Sequence, residues 1–125
     1  MAMAMVAPVS PGVVVRLHEL HSASPYVASD QSLRVLGSLE RFDAASGIAV
    51  LTDGGSALRV DLQHLRALPL RVGSLFEFIG ELEVNPVQEL TLKARVGRNV
   101  DGMDLRLFDK VLQFRRKFEE EFRTS

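Results

Sequence analysis

From Leu33 onward, apolar and polar residues alternate. Leu33, Val35, Gly37 and Leu39 share one parity and Arg34, Ser38 and Glu40 the other, the period-two pattern of a half-buried strand. Asp43 to Gly47 supplies turn residues before Ile48, Val50 and Leu51. Asp53-Gly54-Gly55 supplies a second turn before Leu58 and Val60, so three strands form a meander. Asp61 is suited to accept free backbone amides at the start of a short helical turn carrying Leu62, Leu65 and Leu68, which Pro69 stops. A fourth strand places Phe76, Phe78, Gly80 and Leu82 on one face and Glu77, Glu81 and Glu83 on the other, with Gly80 marking a bend or bulge. After a turn at Asn85-Pro86, Leu90, Leu92, Ala94 and Val96 alternate with Thr91, Lys93 and Arg95 in a fifth strand. Residues 104–122 contain no Gly or Pro, start with a capping Asp and space their apolar residues at helical intervals.

Three strands, a short helix, two more strands and a long C-terminal helix is the element order of a mainly β, five-stranded Greek-key barrel, the OB-fold. An SH3-like barrel or an incomplete sandwich satisfies the same strand count, so closure is an expectation from order and length. Val13 to Leu17 reads as a short leading strand or arm. Residues 1–12 are apolar, lack a basic region and are broken by Pro8 and Pro11, which fits a flexible tail better than a targeting peptide. The expected organisation is that tail followed by one domain over 13–125, with the terminal helix at 104–122. A chain of 125 residues with 46% apolar content suits a single packed core.

Fifteen Lys and Arg against sixteen Asp and Glu leave a net charge of -1, so bulk charge does not advertise nucleic-acid or anionic-membrane binding. The absence of cysteine excludes disulfides, Cys-ligated zinc, iron–sulfur clusters and thiol nucleophiles. No uncharged apolar run approaches the roughly 18 residues of a membrane span, so a soluble protein is expected. Charge is split along the chain, with an acidic excess before Lys93 and a basic excess after it, which gives the molecule a means of orienting against a partner.

Candidate chemistry is sparse. His18, Glu19 and His21 read H-E-x-H, but a metal-binding helix needs its two His four apart, and solvated surface residues explain the run better. No metal, cofactor or catalytic residue is assigned: there is no nucleophile elbow, and Gly54-Gly55 fits a hairpin better than a phosphate loop. The outward parity of Glu77, Glu81 and Glu83 predicts a solvated rim. Arg34, Arg59, Lys93 and Arg95 are the candidate phosphate-tracking residues, with Tyr26 and Phe42 as candidate stacking rings.

The terminal helix carries the strongest signal. On a helical wheel its apolar residues cover an arc of about 180°, wider than one packing contact needs. Leu105, Phe108 and Leu112 form a flank suited to covering the barrel, which leaves Leu107, Val111, Phe114, Phe118 and Phe122 for a partner protein. Arg115, Arg116 and Lys117 precede Glu119, Glu120 and Glu121 by four residues, the less favourable order. Those acids also crowd the C-terminal end against the helix dipole, so the outer turns gain from external packing.

Four stretches carry a resemblance to a known family: Leu33-Arg34 with Gly37 and Leu39; VGSLFEFIGEL from Val72 to Leu82; KARV from Lys93 to Val96; and VDGMDL from Val100 to Leu105. In this order and spacing they resemble the Ten subunit family of the CST complex, over about Ser32 to Phe118. The resemblance implies a non-catalytic OB-fold subunit that pairs through its terminal helix with the N-terminal OB domain of the Stn subunit and joins the large Ctc subunit. It also implies support of single-stranded telomeric DNA binding, telomere capping, telomerase limitation and fill-in by DNA polymerase alpha and primase, in the nucleus at chromosome ends. An aromatic position of the family's helix falls at Phe118. The N-terminal tail and the Asp53-Gly54-Gly55 hairpin lie outside the likeness. The alternatives are a small subunit of a replication protein A-like complex and an autonomous single-strand-binding OB module using Arg59, Lys93 and Arg95.

Overall fold

The computed structural model describes residues 12–21, 24, 26 and 32–124, with side chains as far as Glu121. The alternation after Leu33 becomes a closed wall. Strand β1 (Val13–Val14) leads into β2 (Leu33–Asp43), β3 (Ile48–Asp53), β4 (Ser56–Asp61), β5 (Leu75–Val84) and β6 (Leu90–Asn99), and helix α1 (Leu105–Thr124) ends the chain. The long β2 pairs antiparallel with both β3 and β5, β3 with β4, and β5 with β6. A parallel pairing of β4 with β6, from Arg59↔Thr91 to Asp61↔Lys93, closes the barrel. Closure by this route is the OB-fold and removes the SH3-like and sandwich alternatives. The short β1 adds alongside the start of β2 in parallel.

Inward parity fills the interior. Leu33, Val35, Leu39, Leu51, Val60 and Leu92 are essentially solvent-free, and Phe76 and Phe78 stack with ring centroids 5.8 Å apart. Gly80 holds the wall together at a register shift between β5 and β6: a Cβ there would lie 1.9 Å from the Lys93 carbonyl oxygen. Gly54, at φ +63°, makes the two-residue hairpin between Asp53 and Ser56, which accounts for that Gly pair without a phosphate.

The Asp61 carboxylate accepts the Gln63 amide at 2.9 Å, as its position predicts. The helical segment it opens is a single 3-10 turn, Gln63–Leu65, and not an α-helix, because the few residues before Pro69 allow nucleation but no propagation. A second 3-10 turn at Leu17–Glu19 buries Leu17. Asp104 caps α1, its carboxylate accepting the amides of Arg106 at 3.0 Å and Leu107 at 3.1 Å. No described helix is long and apolar enough to cross a membrane.

Two expectations need correction. Glu77 is not part of a solvated rim: it is buried, 5% exposed, and accepts Arg34 and Arg98, each at 2.9 Å. Tyr26 and Phe42 are not free stacking rings, since both pack against the hydrophobic core. The tail assigned to 1–12 lies outside the described residues apart from Gly12, and the side chain of Phe122 lies outside them too.

Candidate functional site

Helix α1 has two faces. Leu112 is its one buried residue among those described, with Leu105, Phe108, Asp109 and Arg116 half-buried beside it. On nearly the opposite side stand Leu107, Val111, Phe114 and Phe118, respectively 58%, 52%, 73% and 50% exposed. Their spacing of four, three and four residues draws one straight seam along the helix, the repeat by which helices pack on one another. Phe114, Lys117, Phe118 and Glu121 line a shallow hollow of about 210 Å³ on this face. The division of the apolar arc therefore follows the helical wheel: one flank turns in at Leu112, beside Val13 and Val14 of the N-terminal segment, and the other meets solvent.

Charged groups fix the direction in which the seam points. Arg16, just after β1, donates from Nε at 2.8 Å and Nη2 at 2.6 Å to Asp53 on β3, and from Nη1 to Asp109 on α1. Arg116 donates to both oxygens of Glu19, at 2.6 and 3.0 Å, and to the Val14 carbonyl at 2.8 Å. Such forked, charge-assisted contacts hold orientation as well as position. Burial alone would raise the Glu19 carboxyl, but the bonds from Arg116 and from the Arg16 amide outweigh it and hold the group below its ordinary value. The same bond with Glu19 raises the Arg116 guanidinium. None of this clasp is visible in the sequence. Its partners lie up to 102 residues apart and carry no local pattern.

The candidate phosphate-tracking residues sit on the outer barrel wall, and each already has an acid. Arg34 meets Glu77, Arg59 meets Glu89 at 3.5 Å, Lys93 meets Glu83 at 3.2 Å, and Arg95 meets Glu81. Cross-strand pairs of this kind make a mixed, solvated surface whose positive field is largely cancelled. The H-E-x-H run does not converge: Glu19 is engaged by Arg116, and the described residues contain no group of three metal-ligating side chains.

Comparison with known proteins identifies the family and the fold. Residues 8–122 match the family described as telomere-capping, CST complex subunit. The chain is 40% identical over 114 residues to the CST complex subunit TEN1 of Arabidopsis thaliana, covering 90% of each chain. Among solved structures it is similar to a chain in the S. pombe Stn1–Ten1 complex, with a TM-score of 0.71, 18% identity and coverage of 88% of this chain and 96% of that one. It is likewise similar to the S. pombe telomere capping protein Ten1, with a TM-score of 0.70, 19% identity and coverage of 85% and 98%.

Proposed function

The chain belongs to the Ten1 family of telomere-capping CST complex subunits, and on that premise we propose that it docks the outer face of α1 on the N-terminal OB domain of the Stn subunit. The pair joins the large Ctc subunit. The assembly holds single-stranded telomeric DNA in the nucleus, limits telomerase and supports fill-in by DNA polymerase alpha and primase. The chain's own part is structural and not catalytic: it completes and steadies its partner.

The observation that carries this reading is the seam of Leu107, Val111, Phe114 and Phe118, held outward while Leu112 on the other flank of α1 is buried. A contiguous apolar stripe of four large side chains is costly to leave in water and is the surface a partner helix buries. Two aromatic rings in its C-terminal half are suited to act as anchors. Because Arg34, Arg59, Lys93 and Arg95 are each matched by a glutamate, the chain alone should bind single-stranded DNA only at non-specific strength, roughly micromolar or weaker.

Co-expression with the Stn subunit of the same organism, followed by gel filtration, tests the proposal. A stable complex that Phe118→Glu or Leu107→Glu disrupts, while the barrel's circular dichroism is unchanged, is the expected result. A complex indifferent to both substitutions, or a monomer that forms no complex, overturns it.

A further inference from the structure

One residue behind each seam position runs a second line along α1: Arg106, Lys110, Gln113 and Lys117, all exposed. It parallels the seam over eleven residues, about 16 Å of helix. Among the described residues Arg106, Lys110 and Lys117 have no ion-pair partner, whereas Arg34, Arg59, Lys93, Arg95 and Arg98 on the barrel wall each meet a glutamate. The other border of the seam is mixed, with Phe108, Arg115 and Glu119. The first margin, which ends at Glu121 beside Lys117, therefore carries a net positive charge, while on the other Arg115 is balanced by Glu119.

We propose that this one-sided basic ridge selects a partner helix whose own apolar seam is flanked, on the facing side, by acidic residues spaced along about 16 Å. The inference rests on the docking of α1 against the Stn domain and adds the chemistry of the surface that docks. Burying the seam strips water from its margins, which penalises a cation left without an acid and strengthens one that finds it. Because the net positive charge is on one side, a partner helix laid down in the reversed direction puts its acids against the mixed border, so the ridge sets orientation as well as affinity. A nucleic-acid strand is the poorer occupant. The ridge and seam lie on a convex helix with no facing wall, and half of the seam is aliphatic, whereas single strands are held in concave grooves with stacking rings.

The test measures affinity of the full chain for the purified Stn N-terminal domain of the same organism, at 0.1 M and 1 M NaCl. The double variant Lys110→Glu with Lys117→Glu should bind about tenfold more weakly at 0.1 M and lose most of that difference at 1 M, where charges are screened. Reversal of the facing acids on the partner should restore the affinity. The neutral pair Lys110→Gln with Lys117→Gln, which leaves helix propensity nearly untouched, should fall between the two. If Phe114→Glu abolishes the complex but the double reversal leaves its affinity unchanged, the docking reading stands and the ridge inference falls. If the unaltered chain forms no complex, both fall. If the reversal removes binding to a single-stranded oligonucleotide and spares the Stn affinity, the ridge is a phosphate contact and the inference is overturned.

Discussion

On the outer wall of the barrel, Arg34, Arg59, Lys93 and Arg95 each reach a glutamate, while on the outer face of α1 Arg106, Lys110 and Lys117 reach none among the described residues and stand beside four exposed apolar side chains. Both surfaces belong to one small domain, and both are rich in charge. Those four wall cations are satisfied within the chain, and the helix is built to be satisfied by something else. Charge content alone does not distinguish a solvated surface from a docking surface; local pairing and the company of apolar residues do.

Two phenylalanines give the widest separation between these regions. Phe78 is fully buried in the barrel and stacked on Phe76, so Phe78→Ala should lower unfolding free energy by about 3–5 kcal/mol in chemical denaturation. Phe114 is 73% exposed, and Phe114→Ala should leave the isolated chain's stability within about 0.5 kcal/mol of the original. Binding to the Stn domain inverts the ranking for Phe114: as an anchor it should cost about 2 kcal/mol or more of affinity, roughly thirtyfold by calorimetry. A Phe114→Ala chain that unfolds easily, or one that binds normally, would erase the distinction.

A smaller contrast lies within the wall itself. Glu77 is buried between Arg34 and Arg98, whereas Glu83 is exposed and meets Lys93 across strands. Glu77→Ala removes an acid shared by two guanidiniums, one of them mostly exposed, and should destabilise by roughly 2 kcal/mol. Glu83→Ala should change stability by less than about 0.5 kcal/mol. Equal effects from the two would mean that burial of Glu77 does not matter to the wall.

Local chemistry is legible in the sequence and distant chemistry is not. Strand parity, the bulge at Gly80 and the caps at Asp61 and Asp104 follow from residues a few positions apart. The division of α1 is equally readable, because the helical period fixes which of its residues share a side once the start at Asp104 is known. Glu77 escapes such reading for the complementary reason. Parity places it outward correctly, but its burial depends on Arg34 and Arg98, 43 and 21 residues away, which only barrel closure brings to it. Tyr26 and Phe42 look available for stacking because no local pattern shows that the core reaches them. The clasp of Arg16 and Arg116 on α1 has no sequence signal at all.

That clasp joins the two surfaces, and its contribution should appear as a pH dependence smaller than the effects of the core and anchor substitutions. Burial pushes the Glu19 carboxyl up, yet Arg116 and the Arg16 amide pull it further down, so the folded group lies below its ordinary value of 4.5. A carboxyl depressed in the folded state contributes stability that is fully present above its unfolded pKa and is lost as pH falls through its folded one. The clasp should therefore hold steadily from neutral pH to about 5 and weaken only below about 4.5. Arg116 stays charged throughout that window, since its own shift is upward. Glu19→Gln removes the titrating group, so hydrogen exchange of the α1 amides should be faster in the variant at pH 7 and converge with the parent chain toward pH 3, after correction for intrinsic exchange. Convergence places the fastening of α1 in the ionised Glu19–Arg116 pair. Equal exchange in the two chains at pH 7 would instead assign it to the apolar contact at Leu112, and the direction of the seam would then owe nothing to the ionised pair.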